Sequence, residues 1–494
     1  MYYLSTRDAS LRLTAAQAIA RGLSRDGGLF MTSEIPQIDI GFINDLMPLS
    51  YPERAARIMK LYLEDYSDEE LRRYTRAAYG EGFDGPCAAP LKKLDADTAF
   101  LELWHGPTCA FKDMALQMLP YLLRAALSKT GEKKEVCILV ATSGDTGKAA
   151  LEGFKDVPGT KILVFYPSEG VSNVQKLQMS TQEGGNVGVC AVYGNFDDAQ
   201  NGVKAIFSDE ALRERLAENG MFFSSANSIN WGRLLPQIVY YISAYCDAAA
   251  AGLIKIGDKL NYSVPTGNFG NILAGWLAKR MGLPAGRFIC ASNSNNVLTD
   301  FIGTGVYDRN RRFYTTMSPS MDILISSNLE RLLYAMCGDD AEVREYMRSL
   351  SETGRYRVSA ELTEKIRADF YGAWRSEEQT AETIASVYGR GMLIDPHTAV
   401  ACGALEDYRT AEGDDTPAVI VSTASAFKFC DSVLAALGRP FEAEGAELIE
   451  RLGAETGAAV PAPLAGLDRR RVRFTETVEK TEMTGAVLKM LGLS

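Results

Sequence analysis

LNYSVPTGNFGNILAGWLAKRMG, residues 260–282, reads as a strand, a turn and a helix in immediate succession. LNYSVPT is the strand, Gly267-Asn268-Phe269-Gly270-Asn271 is the turn, and the helix begins near Asn271. Two glycines allow a tight turn and close backbone approach, and free N–H groups at a helix start can cradle a phosphate. A plain βα turn, with glycine for sterics and asparagine as a cap, explains the same residues. The pattern is not GxGxxG, and GDTGKA (144–149) departs from a phosphate-binding P-loop in glycine spacing and lacks the following Ser or Thr.

The alternation continues outward from this stretch. VCILVAT (136–142), KILVFYP (161–167), NVGVCAVY (186–193) and PAVIVST (417–423) read as strands. MALQMLPYLLRAALSKT (114–130), VSNVQKLQMST (171–181), DDAQNGVKAIFSDEALRERLAEN (197–219) and NWGRLLPQIVYYISAYCDAAA (230–250) read as helices. Apolar strands alternating with helices predict an α/β fold whose parallel sheets are covered on both faces. TAAQAIARGL (14–23) and PERAARIMKLYLEDY (52–66) make the first 95 residues read as mostly helical, up to the turn-rich boundary EGFDGPCAAPLKKLDADT (81–98). Residues 318–390 are polar and helix-rich. The expected organisation is a small helical N-terminal domain over 1–95 and a core over 96–440 with a smaller α/β lobe at about 135–230. An extension over 441–494 then packs on the core.

The 494 residues suffice for two or three packed units. Acidic residues outnumber basic ones, 63 to 52, which argues against nucleic acid as a partner. No apolar run approaches the roughly 18 residues of a membrane span, and MYYLSTRDASLRL lacks the layout of a signal peptide. The expectation is a soluble cytoplasmic protein without a membrane partner. Nine cysteines with no C-x-x-C pair argue against a disulfide framework. Only two histidines occur, His105 and His397, and HExxH is absent, so no metal centre is expected. Proton transfer then falls to Lys, Asp, Glu or a cofactor.

Three further turns carry candidate chemistry. In ATSGDTGKAALEGF, Ser143, Asp145 and Thr146 surround Gly144 and Gly147 after a strand, as an anion site or as an ordinary N-cap. In HGPTCAFKDMALQML, Lys112 stands beside Phe111 where a helix begins. Desolvation and the helix dipole would favour its neutral, nucleophilic form there, while Asp113 opposes them. In VIVSTASAFKF, Ser422 and Thr423 end a strand as hydroxyls for a ring nitrogen or as a cap. A reactive lysine, a phosphate cradle, an anion loop and a late hydroxyl are together the parts needed to hold pyridoxal phosphate. Their order resembles the tryptophan-synthase-β-like, or fold type II, group of pyridoxal-phosphate enzymes.

The resemblance narrows with HGPTCAFKDMA, SGDTG, YPSEGVSNVQKLQM, NSINWGRLLPQIVYY, PTGNFGN, SPSMDILISSNLERLL, DPHTAV and VSTASAFKF. These, with YYLSTRD and DGGLF near the N-terminus, resemble the threonine synthase family in its longer bacterial and fungal branch. The resemblance implies two α/β lobes behind a small N-terminal domain. It implies that Lys112 attaches the cofactor, that Gly267, Asn268, Phe269, Gly270 and Asn271 hold its phosphate, and that Thr423 meets the pyridine nitrogen. Ser143, Asp145, Thr146 and Gly147 resemble the loop that meets the substrate, although Asp145 replaces the asparagine common in the wider group.

The implied reaction converts O-phospho-L-homoserine and water to L-threonine and phosphate. Arg233, Lys148 and Lys176 are positioned as candidates for the substrate phosphate, Arg233 first. His105 could orient the lysine loop or the phosphate, and His397 reads as a structural residue at a helix start. A phospho-lyase giving 2-oxobutyrate and ammonia would share these motifs, and an inactive ligand-sensing relative is a more remote reading. A monomer or a homodimer is expected.

Overall fold

Leu260–Pro265 lies inside a six-stranded sheet, flanked by Ala285–Ser292 and Ala418–Ser422. Phe370–Trp374 and Thr98–Glu102 extend it in parallel, and Leu91–Lys93 closes one edge antiparallel. Every residue of Leu260–Pro265 and of Ala418–Ser422 is buried, which is the condition of a parallel strand sandwiched between helices. A second, wholly parallel sheet orders its strands Thr477–Val478, Val187–Val192, Thr160–Pro167, Glu135–Ala141 and Met221–Ser224. The computed structural model describes residues 1–85, 87–169 and 171–493. Pro86 of the expected boundary and Gly170 of YPSEGV therefore lie outside the described residues. These are the two α/β lobes that the sequence predicts, behind a small N-terminal unit.

That N-terminal unit has more than helices. Tyr3–Ser5, Asp8–Leu13 and Phe30–Thr32 form a three-stranded antiparallel sheet beside the helices Ala15–Arg21, Ile40–Leu46, Tyr51–Lys60 and Asp68–Ala78. Two of the strands have only three residues, all buried, so no alternation betrays them in the sequence. The expected helix over 114–130 is two, Asp113–Leu116 and Leu119–Thr130, the second with proline in its first turn. The expected helix over 197–219 is also two, Phe196–Ser208 and Glu210–Glu218, divided at Asp209, whose extended backbone caps the second. The chain after residue 441 divides between the lobes. Glu447–Thr456 packs on Cys430–Ala436, whereas Met483–Leu491 buries Met483 and Val487 against the small lobe's core.

This frame aims four strand ends at one place. Thr98–Glu102, Leu260–Pro265 and Ala418–Ser422 of the large sheet and Glu135–Ala141 of the small one all run into turns at the same cleft. Ligands of open parallel sheets bind beyond such carboxyl ends. The deep wall is the helix Trp231–Ala250, apolar on nearly every face and buried along almost its whole length. Among the described residues no helix is long and apolar enough to cross a membrane.

Two of these turns are held in register by a backbone-to-backbone approach. A Cβ on Gly153, in the helix Asp145–Phe154, would lie 2.1 Å from the Leu116 carbonyl oxygen just after the Lys112 turn. A backbone atom cannot swing aside as a flexible side chain does. Gly153→Ala is therefore expected to destabilise the chain by ~1–3 kcal/mol, seen as a lower urea midpoint with unchanged slope. An unaltered midpoint would show that this contact does not set the register.

Candidate active site

A cleft with a volume of about 1430 Å³ is lined from both lobes. Residues 267–271 form one wall, where the strand Leu260–Pro265 passes into the helix Gly270–Met281. Phe269 takes up the left-handed conformation at φ 60° as the helix cap. The carbonyl side of this loop is fully engaged. Ser326 Oγ donates to Gly267 O at 2.7 Å, and the Asn328 amide N–H and Nδ2 donate to Asn268 O at 3.1 and 3.0 Å. The N–H side is bare: among the described residues the backbone N–H groups of 267–271 meet no acceptor. Tyr240 and Tyr241 donate to Asn271 Oδ1 at 2.6 and 2.8 Å, and the buried Nδ2 is left without a partner among the described residues. Unpaired donors at a helix N-terminus, the buried Asn271 amide among them, make a site for an anion.

Facing this wall is Lys112. The Phe111 N–H donates to Thr423 O at 2.7 Å, which ties the lysine turn to the end of the strand Ala418–Ser422. Lys112 Nζ donates to Ser320 Oγ at 2.9 Å and lies 3.3 Å from Asp145 Oδ2. Burial lowers the Lys112 ammonium below its usual range, helped by Lys428 and Arg233 and opposed by Asp145. Lys428 is wholly buried, 2.8 Å from Asp145 Oδ1 and 2.8 Å from Thr108 O. Gln175 Nε2 donates to the same Oδ1 at 2.7 Å. Burial alone would raise the Asp145 carboxyl, but Lys428 and Lys112 outweigh it and hold it far below the usual carboxylate range.

The expected residues divide between cleft and frame. Lys112, Ser143, Thr146, Arg233, Thr423 and the loop Gly267, Asn268, Phe269, Gly270 and Asn271 all line the cleft. Asp145 and Gly147 do not: the carboxylate is taken by Lys428, Lys112 and Gln175, and the Gly147 N–H donates to Thr142 Oγ1. Arg233 is buried, donates to Ala226 O at 2.8 Å, and keeps an Nε without a partner among the described residues. Burial pushes it down to about 10. Lys148 is paired with Glu152 and Gln182, and Lys176 donates to Ser168 O, so neither reaches the cleft. His105 sits away from it too, between Asp84 and Glu102 and stacked on Trp104. His397 starts the helix Pro396–Glu412 as expected, yet it also lines the cleft. Its Nδ1 lies 2.6 Å from Asp395, and its Nε2 accepts the Ser320 N–H at 3.1 Å.

Ser320, Lys428, Gln175 and Asn328 are site residues that the sequence reading missed. For Lys428 and Ser320 the signal was present in VSTASAFKF and SPSMDI, which carry polar groups inside otherwise structural motifs. No group of His, Cys, Asp and Glu among the described residues could hold a metal ion.

The donors present fit pyridoxal phosphate. A row of free N–H groups and the orphaned Asn271 amide suit a phosphate, a buried amine suits an aldehyde, and the Thr423 hydroxyl suits a ring nitrogen. Fold and site thus define a pyridoxal-phosphate-dependent enzyme, and the family model described as "Pyridoxal-phosphate dependent enzyme" matches residues 87–424. Models for the threonine synthase N terminus and C-terminal region match 2–79 and 398–487. Threonine synthase of Pseudomonas aeruginosa is 38% identical over 478 residues, covering 96% of this chain and 95% of that one. Human threonine synthase-like 1 is 40% identical over 455 residues, 88% of this chain. This chain spans only 60% of the length of that relative. The crystal structure of PLP-bound threonine synthase from Brucella melitensis superposes with a TM-score of 0.87 at 37% identity, over 99% of each chain. The chain belongs to the threonine synthase family.

The turn that carries Lys112 gives a pH prediction. Asp113 accepts the Thr108 N–H at 2.8 Å and its hydroxyl at 2.7 Å, and burial raises its carboxyl to about 6. A carboxyl raised on folding binds its proton more tightly in the native state. Its contribution is full below the unfolded value and is lost as pH rises through the folded one. Asp113→Asn removes that titration. Its stability relative to the unaltered chain should therefore rise by roughly 2–3 kcal/mol from pH 4 to pH 7, measured by urea unfolding. A difference that stays flat over this range would refute the assignment.

Proposed function

We propose that this chain is a threonine synthase, converting O-phospho-L-homoserine and water to L-threonine and phosphate with bound pyridoxal phosphate. The observation that carries the reading is the buried Lys112 amine facing five acceptor-free N–H groups across one cleft. In this reading Gly267 to Asn271 hold the cofactor phosphate, Lys112 attaches the cofactor, and the Thr423 hydroxyl meets the ring nitrogen. The bound cofactor supplies an electron sink conjugated to the substrate's α carbon.

The remaining work belongs to side chains. The reaction needs protons moved at Cα, Cβ and Cγ, loss of phosphate from Cγ, and addition of water at Cβ. Lys112 is the amine that takes the Cα proton, and its desolvation favours the neutral form this requires. Arg233 has a buried guanidinium with no carboxylate partner among the described residues, which suits it to the substrate phosphate. Ser143 and Thr146 offer hydroxyls to the substrate carboxylate, while Asp145 and Gly147 serve the frame. The Asp395–His397 pair orients Ser320 against Lys112.

The same reading keeps the domain boundaries 1–95, 96–440 and 441–494. Family matches that end at 79 and resume at 87 support a separate N-terminal unit, with a division somewhat before 95. It takes the working state to be a monomer or homodimer in the cytoplasm.

Incubation with pyridoxal phosphate and O-phospho-L-homoserine, followed by NMR, should give threonine and phosphate in equal amounts. Phosphate with 2-oxobutyrate would move the function to the lyase, and no phosphate would overturn the substrate. Lys112→Ala should lower turnover roughly a thousandfold or more and abolish the absorption band of the lysine-attached cofactor. Arg233→Met should raise KM for the phosphorylated substrate by roughly tenfold to a hundredfold. An unchanged KM would exclude Arg233 from the phosphate site.

A further inference from the structure

Asp145 is a carboxylate out of contact with solvent, flanked by two lysines that it does not hold equally. Lys428 Nζ is 2.8 Å from Oδ1, whereas Lys112 Nζ is 3.3 Å from Oδ2 and shares its hydrogen bonding with Ser320 Oγ at 2.9 Å. Lys428 is 0% exposed, and besides Asp145 it meets only the Thr108 carbonyl among the described residues. It is locked by local structure. Ser425 caps the short turn Ala426–Lys428, and the Ser425 N–H donates to Cys109 O at 3.1 Å. The strand end that offers Thr423 therefore also delivers Lys428 behind the Lys112 turn.

Without Lys428, the Asp145 carboxylate would have Lys112 as its one neighbouring cation within ion-pair distance among the described residues. A buried carboxylate beside a buried amine favours the ammonium, and an ammonium is no nucleophile. We propose that Lys428 is a positioning residue for Lys112: it takes the Asp145 carboxylate as its own ion-pair partner, so that Asp145 places Lys112 without fixing it as an ammonium. Five elements surround this trio. They bring His397 from the helix Pro396–Glu412, Arg233 from Trp231–Ala250, and Cys109 and Asp113 from the lysine turn. Gln175 and Ser320 add uncharged partners.

The inference rests on the reading of Lys112 as the amine that attaches the cofactor. The test is the pH dependence of the rate at which the cofactor-free full chain condenses with added pyridoxal phosphate, followed by absorbance. In that step the Lys112 nitrogen bonds to the aldehyde carbon and water leaves. Lys428→Met should move the profile to higher pH and slow the reaction about tenfold at neutral pH, one pH unit of displacement. Asp145→Asn leaves Lys428 uncompensated beside Lys112 and should move the profile to lower pH. The double variant should return to within about threefold of the unaltered chain, a compensation that damage to packing would not produce. Lys428→Arg, which keeps the charge, should leave the profile in place.

Displacement of the two single variants in the same direction, or no displacement, overturns the proposal. If Lys428→Met yields no folded chain, Asp145→Asn decides alone: a shift to lower pH sustains the proposal and any other result overturns it. Absence of condensation in the unaltered chain would instead overturn the reading of Lys112, and the present inference with it.

Discussion

A carboxylate that has lost its water must be matched by charge and hydrogen bonds, and the two lobes of this protein meet around one such group. Asp145 and Gln175 come from the small lobe, Lys428 and Lys112 from the large one, and the two Asp145–lysine contacts join the lobes. Breaking a buried pair by removing one partner typically costs about 3–5 kcal/mol, because the other charge is stranded. The relative placement of the lobes is thus tied to the electrostatics around Lys112. A lobe that drifted would leave both Lys428 and Asp145 unmatched.

The wall formed by residues 267–271 obeys the complementary rule. Its carbonyls are fully engaged so that its N–H groups can remain free. Arg331 organises that engagement. It is completely buried and donates to Asn328 Oδ1, to Ile229 O at 2.5 Å, to Ser228 O at 3.3 Å and to Phe30 O at 2.9 Å. Phe30 belongs to the N-terminal sheet, and Asn328 holds the carbonyl of Asn268. Asn230 reinforces the link by donating to Ile19 O at 3.1 Å. The N-terminal unit is in this way part of the scaffold of the 267–271 loop, three hydrogen bonds removed from it.

What could be read from the sequence was local. Strand-to-helix turns rich in glycine and hydroxyls are contiguous, so Lys112, residues 267–271 and Thr423 were visible as motifs before any fold was known. Groups that act by meeting a distant partner were not. Lys428 looks like one more residue of VSTASAFKF until Asp145 is brought 2.8 Å away. His397 looks like a helix start, and only the return of the 318–322 loop places the Ser320 N–H on its ring. Lys148 and Lys176 show the converse error. Both have the right charge in the right region, but Glu152, Gln182 and the Ser168 carbonyl consume their donors. The N-terminal strands escaped because two of them span three residues each, too few for a period of two to register.

Thr477–Val478 adds to the outer edge of the small lobe's sheet beside Val187–Val192, and Met483–Leu491 seals the core beneath it. During synthesis the small lobe's other strands leave the ribosome long before this last one, so that for most of translation an edge of unpaired backbone groups and an open apolar face are exposed. Such edges invite pairing with the wrong chain, and closure by so distant a segment is slow. In the folded chain residues 477–491 cover the end of that edge, beside Ala191 and Val192, and the apolar face beneath it.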